Sequence, residues 1–223
     1  MSHGKTVLRV SLLCMGVLLG SCATRPFGGH PITIGFKNLL AGDLSNCAFK
    51  AGSWAIEDGV LTRKGGGDIW TKDAYGDFIL DLEFKVAEGT NSGIFFRTAD
   101  IENWLHTGIE IQVYDSYGRE KPGKHDCGAV YDVLEPSANA VKPAGEWNRI
   151  TIMAKGSMVN IVMNGKEIID MDLNDWPEAH KNPDGTKNKF NIAYKDMARV
   201  GAFGFQDHGK PVWYRNIKVK RLN

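Results

Sequence analysis

Three things this sequence lacks bound its function before any motif does. It has no apolar run long enough to stay in a bilayer: the stretch Val10–Leu19 is of signal-peptide length, too short for a permanent span. It has no basic stripe interleaved with aromatics, and its 27 Lys and Arg nearly balance 26 Asp and Glu. That argues against nucleic acid as a partner and against a strongly charged substrate. Cysteine is scarce, with four residues in all and no CxxC, Cys–His or HExxH spacing, so no compact zinc motif is present. Helical periodicity is also weak beyond the first residues.

The N-terminus reads as a targeting segment. Lys5 and Arg9 precede the apolar stretch, and Leu19-Gly20-Ser21-Cys22 resembles a bacterial lipobox. Residues 1–21 are therefore expected to be a lipoprotein signal peptide, with Cys22 lipidated and residues 22–31 a short tether. Acyl chains on Cys22 would attach the protein to a membrane leaflet without a spanning helix. No acidic stretch follows Cys22, which points to the periplasmic face of the outer membrane of a bacterial cell envelope. Removal of 1–21 takes away two basic residues and no acidic one, leaving 25 basic against 26 acidic, a near-neutral chain. Cys47 and Cys127 remain; a disulfide and two small buried apolar side chains both fit them.

What is abundant is glycine, 26 residues, with an aromatic share of 10%. Both favour an all-β protein rich in tight turns. In Asp77–Val86 the residues Phe78, Leu80, Leu82, Phe84 and Val86 share one face, with Asp81, Glu83 and Lys85 on the other. "SGIFFRT" and "TGIEIQVYD" continue the pattern. "WNRITIMAKGSMVNIVMNGKEIIDMDL" reads as three strands joined at Lys155-Gly156-Ser157 and Asn164-Gly165. Val200–Gln206 and Val212–Lys220 complete the set, and Gln206–Gly209 alone reads as a hairpin tip. Two antiparallel sheets packed face to face are expected, as one jelly-roll domain over 32–223. Asn174–Met197, with Pro177, Pro183 and Asp184-Gly185, is expected to be a surface excursion.

Polar residues embedded in strands are the candidates for chemistry. In "EIQVYD" Glu110 and Gln112 point one way, and Asp115 joins them only across a bulge. The layout resembles that of laminarinase-type glucanases but departs at both later positions, because Gln112 cannot ionise. An ordinary two-carboxylate glycosidase is therefore disfavoured; a solvated sheet face fits equally well. Arg97, Tyr131 and Arg215 sit in strand-like runs, where each arginine suits an ion pair as well as a ligand contact. His125 lies in a polar loop. Asp207 and His208 occupy the 206–209 turn, after Ala202 and Gly204, which share the parity of Gln206 and leave room above one sheet face. Trp70, Trp104 and Trp176 suit a stacking platform or a core.

The segments "YGDFILDLEFKVAEGTNSGIFFRT", "GIEIQVYD", "CGAVYDV", "KPAGEWNRITI", "NPDGTKN" and "VGAFGFQDHGKPVWYRNIKVK" together resemble the 3-keto-disaccharide hydrolase family, from about Phe36 to the end. The resemblance implies a concanavalin A-like jelly-roll sandwich, export as a lipoprotein and cleavage of glycosides oxidised to a ketone at C3. Such a ketone acidifies the C2 hydrogen, so one base, one oxyanion stabiliser and one acid suffice. On this reading Glu110 or His208 is the base, oriented in the latter case by Asp207. Arg97 stabilises the oxyanion, or a divalent metal does so among Glu110, His125 and Asp207. Gln112, Asp115, His125, Tyr131, Gln206 and Asn91 would contact the carbohydrate, and no protein partner is implied. A non-catalytic carbohydrate-binding jelly roll is the alternative.

Overall fold

The computed structural model describes Met1 and residues 29–222. The signal segment, Cys22 with its expected lipid anchor and most of the tether lie outside the described residues. Alternating residues build the elements: β1 (Lys37–Asn38), β2 (Cys47–Ala48), β3 (Trp54–Glu57), β4 (Val60–Arg63), β5 (Ile69–Thr71), β6 (Phe78–Val86) and β7 (Asn91–Thr98). After a single helical turn, α1 (Trp104–Thr107), come β8 (Ile109–Tyr114), β9 (Asn148–Lys155), β10 (Met158–Met163), β11 (Lys166–Asp172), β12 (Ala202–Phe205) and β13 (Val212–Arg221).

The strands form two antiparallel sheets. The larger runs β11-β10-β9-β6-β13-β4-β3, with β1 added at β13; the smaller, five-stranded sheet runs β2-β5-β12-β7-β8. The core lies between them. Leu80, Leu82 and Phe84 of β6 and Ile150 and Ile152 of β9 face Ile94 and Phe96 of β7, Ile111 and Val113 of β8, and Phe203 and Phe205 of β12. Each such side chain contributes about 1.5–3 kcal/mol on burial. One polar pair inside the core is satisfied: the Tyr214 hydroxyl and Ser92 Oγ are 2.8 Å apart, and Ser92 donates to the Gln206 carbonyl at 2.7 Å. Asn164 and Gly165 both have positive φ, 49° and 84°, as a tight two-residue hairpin requires.

Two expectations change. Residues 206–209 are not a hairpin tip, because β12 and β13 belong to different sheets and the segment between them carries the chain from one to the other. The 174–197 excursion is not merely superficial, since it buries Trp176, Phe190 and Tyr194 against the core. Cys47 and Cys127 are both free and buried, and desolvation pushes their thiols up to about 11 and about 12.

Candidate active site

The five-stranded sheet has an inner face in the core and an outer face that carries the polar candidates. In the β7–β8 register Phe95 lies opposite Glu110, Gly93 opposite Gln112 and Asn91 opposite Tyr114. Opposed residues share a face, so Asn91, Gly93, Phe95, Glu110 and Gln112 all point outward. Two glycines make this face usable. A Cβ on Gly93 would lie 2.4 Å from Glu110 Oε1, and one on Gly204 would lie 2.3 Å from the Trp70 ring, so both side chains fold over bare backbone.

Along the free edge of β8 the chain returns and pairs once more. Gly128 N donates to the Gln112 carbonyl, and Tyr131 N to the Glu110 carbonyl. That contact places Tyr131 beside Glu110. A cavity of about 240 Å³ is lined by Asn91, Trp104, Glu110, Tyr131, Lys189 and Gln206, with Leu105 and His208 at its walls. Among the described residues nothing donates a hydrogen bond to the Glu110 carboxyl, which is only 6% exposed. Burial pushes it up to about 8; nearby Lys189 opposes the shift and Asp68 adds to it. Gln112 donates to Asn91 Oδ1 at 2.9 Å, while Gln112 Oε1 and Gln206 Oε1 are buried without partners. Unpartnered buried acceptors beside an unpartnered carboxyl suit a ligand rich in hydroxyl donors.

The Tyr131 hydroxyl accepts a hydrogen bond from Lys189 Nζ at 2.9 Å, and the ammonium also lies 4.3 Å from the ring centroid. With its oxygen so occupied, the phenol has its own hydrogen free to donate. Phe95 packs on Trp104, ring centroids 5.0 Å apart, and Trp104 forms an aromatic wall of the cavity. Of the other tryptophans proposed as a platform, Trp70 is buried against Phe95, and Trp176 is a core residue donating to Asn182 Oδ1.

Several expected site residues are employed elsewhere. Arg97 is 1% exposed and bonds the Gly76 and Gly156 carbonyls and Asp77 Oδ1, so it is a buried structural ion pair and not an oxyanion ligand. The reason is local. The β12–β7 register shifts between Ala202 and Gly204, and Arg97 takes φ 53°, so it no longer follows the parity of Phe95. Asp207 does not orient His208. Its carboxylate accepts from Arg63 Nε and from the backbone of Gly66, Gly67 and Gly209, closing the glycine-rich loop. Burial alone would raise its pKa; these donors outweigh it and hold the carboxyl down at about 2. His208 is exposed at the cavity wall. Asp115 accepts from Gly89 N at 2.8 Å and caps a turn away from the cavity. His125 is exposed, 2.8 Å from Asp132 Oδ1 with its ring against Tyr131, and does not line the cavity. Glu110, His125 and Asp207 are therefore not gathered as metal ligands, and among the described residues no cluster of three or more His, Cys, Asp or Glu suits a metal ion. Arg215 pairs with Glu83 on the other sheet.

Lys189 and Asp68 are the residues that sequence reasoning missed. Lys189 lies in a polar loop, "TKNKF", where nothing sets it apart from the neighbouring Lys187. Asp68 Oδ1 accepts from Asp207 N at 2.7 Å, and burial raises its carboxyl.

A 3-keto-disaccharide hydrolase of Bacteroides thetaiotaomicron is 28% identical to this chain over 205 residues, covering 76% of this chain and 70% of that protein. A crystal structure from Parabacteroides distasonis, provisionally assigned as a glycosyl hydrolase, superposes with a TM-score of 0.79 at 36% identity. The match covers 84% of this chain and 99% of that one. A carbohydrate-binding module from Bacillus subtilis, 15% identical with a TM-score of 0.52 over 81% of this chain and 98% of its own, shares the fold alone. Residues 35–220 match the 3-keto-alpha-glucoside-1,2-lyase-like domain, and the chain belongs to that family.

Proposed function

We propose that this chain is an exported enzyme that cleaves 3-keto-glycosides, 3-keto-disaccharides among them, by elimination between C1 and C2 followed by addition of water. Membership of the family makes it a carbohydrate-acting enzyme. The observation that carries the finer reading is Glu110: a buried carboxyl without a hydrogen bond, at a sugar-sized cavity and with no second carboxylate lining it. A conventional retaining or inverting glycosidase needs two carboxyl groups flanking the bond, whereas α-proton abstraction needs one strong base.

In the proposed sequence the Glu110 carboxylate removes the C2 hydrogen as a proton. The electron pair passes to the C3 oxygen as an enolate. The pair then returns to form the C1–C2 double bond, and the aglycone oxygen leaves with the Tyr131 hydroxyl proton. Lys189, bonded to that oxygen, stabilises the phenolate that results. Water next adds across the double bond. Its hydroxyl goes to C1, C2 takes a solvent-derived proton from Glu110, whose abstracted proton exchanges with water before the rehydration step, and the remaining water proton restores Tyr131. The sum is hydrolysis. Gln112, Gln206 and Asn91 meet sugar hydroxyls, and Trp104 packs on the apolar edge of the sugar or aglycone.

Glu110→Gln tests this reading. Release of sugar from a 3-keto-disaccharide should fall about 10²–10⁴-fold, the usual contribution of a general base, while the parent disaccharide is cleaved by neither form. A non-catalytic binding module fits the same lining. It would bind the sugar with Glu110→Gln as well as with the native residue and release nothing from either substrate. The lipid anchor at Cys22 and a place on the periplasmic face of the outer membrane belong to the same proposal. Cells fed labelled palmitate should label the native chain and not Cys22→Ala; equal labelling would remove the anchor from the account.

A further inference from the structure

Asp132 does not line the cavity, yet it joins the segments that carry Tyr131 and Lys189. Its Oδ2 accepts from Lys189 N at 2.9 Å and its Oδ1 lies 2.8 Å from His125 Nε2. Its own N donates to the Lys124 carbonyl at 3.0 Å, and its carbonyl accepts from Asn182 Nδ2 at 3.2 Å. Asn182 is buried and accepts from Trp176 Nε1 and Asn188 Nδ2, so this anchor reaches the core. Asp132 sits at φ 63°, a left-handed conformation that Asp and Asn tolerate better than most residues. One residue earlier, Tyr131 N is bonded to the Glu110 carbonyl. The Asp132 side chain thus joins the loops of His125 and Lys189, while the backbone of Tyr131 and Asp132 ties the same corner to the β8 edge and to Asn182.

We propose that Asp132 is a positioning residue: by holding the Lys189 backbone against Tyr131 it keeps the Lys189 ammonium on the phenol and beside Glu110, and so governs the proton balance of the cavity. The inference rests on the proposed reaction. Lys189 needs such a hold because its flexible, solvent-exposed stem carries about 2 kcal/mol of rotamer entropy. Loss of the backbone anchor leaves the ammonium free to disperse into water. Among the described residues, Lys189 from the 182–190 loop, Tyr131 from the edge segment and His208 from the turn after β12 line the cavity with Glu110, while Asp68 before β5 and Tyr194 from the core side act on it from outside that lining. Lys189 is the cation identified as favouring the carboxylate.

The test compares Asp132→Gly, which keeps the left-handed backbone without a carboxylate, with Asp132→Asn, Lys189→Met and the Gly/Met double variant. Two readouts are taken: the pH profile of kcat/KM on a 3-keto-disaccharide and the carboxyl carbon-13 NMR titration of Glu110. Asp132→Gly should move both profiles upward and lower kcat/KM at pH 7 by about three- to tenfold, one pH unit being a factor of ten in ionised base. Asp132→Asn, which retains an acceptor, should recover most of this. Lys189→Met should shift at least as far, and the double variant no further than Lys189→Met alone. An unmoved Glu110 titration in Asp132→Gly, or shifts that simply add in the double variant, would overturn the inference. Absent turnover by the native protein would overturn the reaction instead, while the NMR titration still decides the role of Asp132.

Discussion

Replacing Glu110 by glutamine should make the protein less active and, above neutral pH, more stable. The sign follows from linkage. Below about pH 4.5 the carboxyl is neutral whether the chain is folded or not. Between 4.5 and about 8 the unfolded chain ionises it and the folded chain does not, so the stability Glu110 contributes as a neutral acid drains away as pH rises and is gone above about 8. At about 1.4 kcal/mol per pH unit, the interval from 4.5 to about 8 corresponds to roughly 5 kcal/mol as a ceiling. Water penetration and relaxation reduce the realised part to a few kcal/mol. Glutamine is nearly isosteric with the protonated acid, and its amide hydrogens meet a face where the oxygens of Gln112 and Gln206 lack donors. Urea unfolding of both proteins at pH 5, 7 and 9 measures the difference, in which titrating groups not coupled to Glu110 cancel. Near equality at pH 5, widening in favour of Glu110→Gln by pH 9, is expected. A difference that stays flat over this range would mean that Glu110 ionises freely in the folded protein, and the case for it as a strong, desolvated base would collapse.

Other substitutions separate site from scaffold. Gly93→Ala puts a Cβ 2.4 Å from Glu110 Oε1 and must push the carboxyl aside; kcat on the 3-keto substrate should fall about 10²-fold with circular dichroism unchanged. Arg97→Met removes a buried guanidinium from half-exposed Asp77 and from the Gly76 and Gly156 carbonyls and should cost about 1–3 kcal/mol in urea unfolding, yet leave kcat of the folded protein unaltered. A loss of kcat without loss of stability would return Arg97 to the active site.

The sandwich was legible in the sequence because half-buried strands alternate. Each odd-numbered core residue from Ile109 to Val113 and each even-numbered one from Phe78 to Val86 is buried as its parity requires. Glu110 and Gln112 were found for the same reason, as polar residues on the outward parity of an otherwise apolar strand. Arg97 was misplaced because one left-handed residue at a register shift reverses the rule, and alternation cannot reveal that. Asp207 was assigned to His208 because they are neighbours in the chain. Neighbours in a turn point apart, and the partners of Asp207 lie at Arg63 and Gly66, more than a hundred residues earlier. Lys189 lies 58 positions after Tyr131, with β9, β10 and β11 between them, so the pairing is set by tertiary contacts alone.

The central claim is that the C2 hydrogen is removed before the aglycone leaves, and one measurement addresses it directly. The native protein is given a 3-keto-disaccharide in heavy water, and the released 3-keto-sugar is analysed at once by proton NMR against an enzyme-free control. Elimination and rehydration through Glu110 predict deuterium at C2 of the released keto-sugar in step with turnover. Sugar released with its C2 hydrogen intact would contradict the account and return the chain to direct hydrolysis at C1.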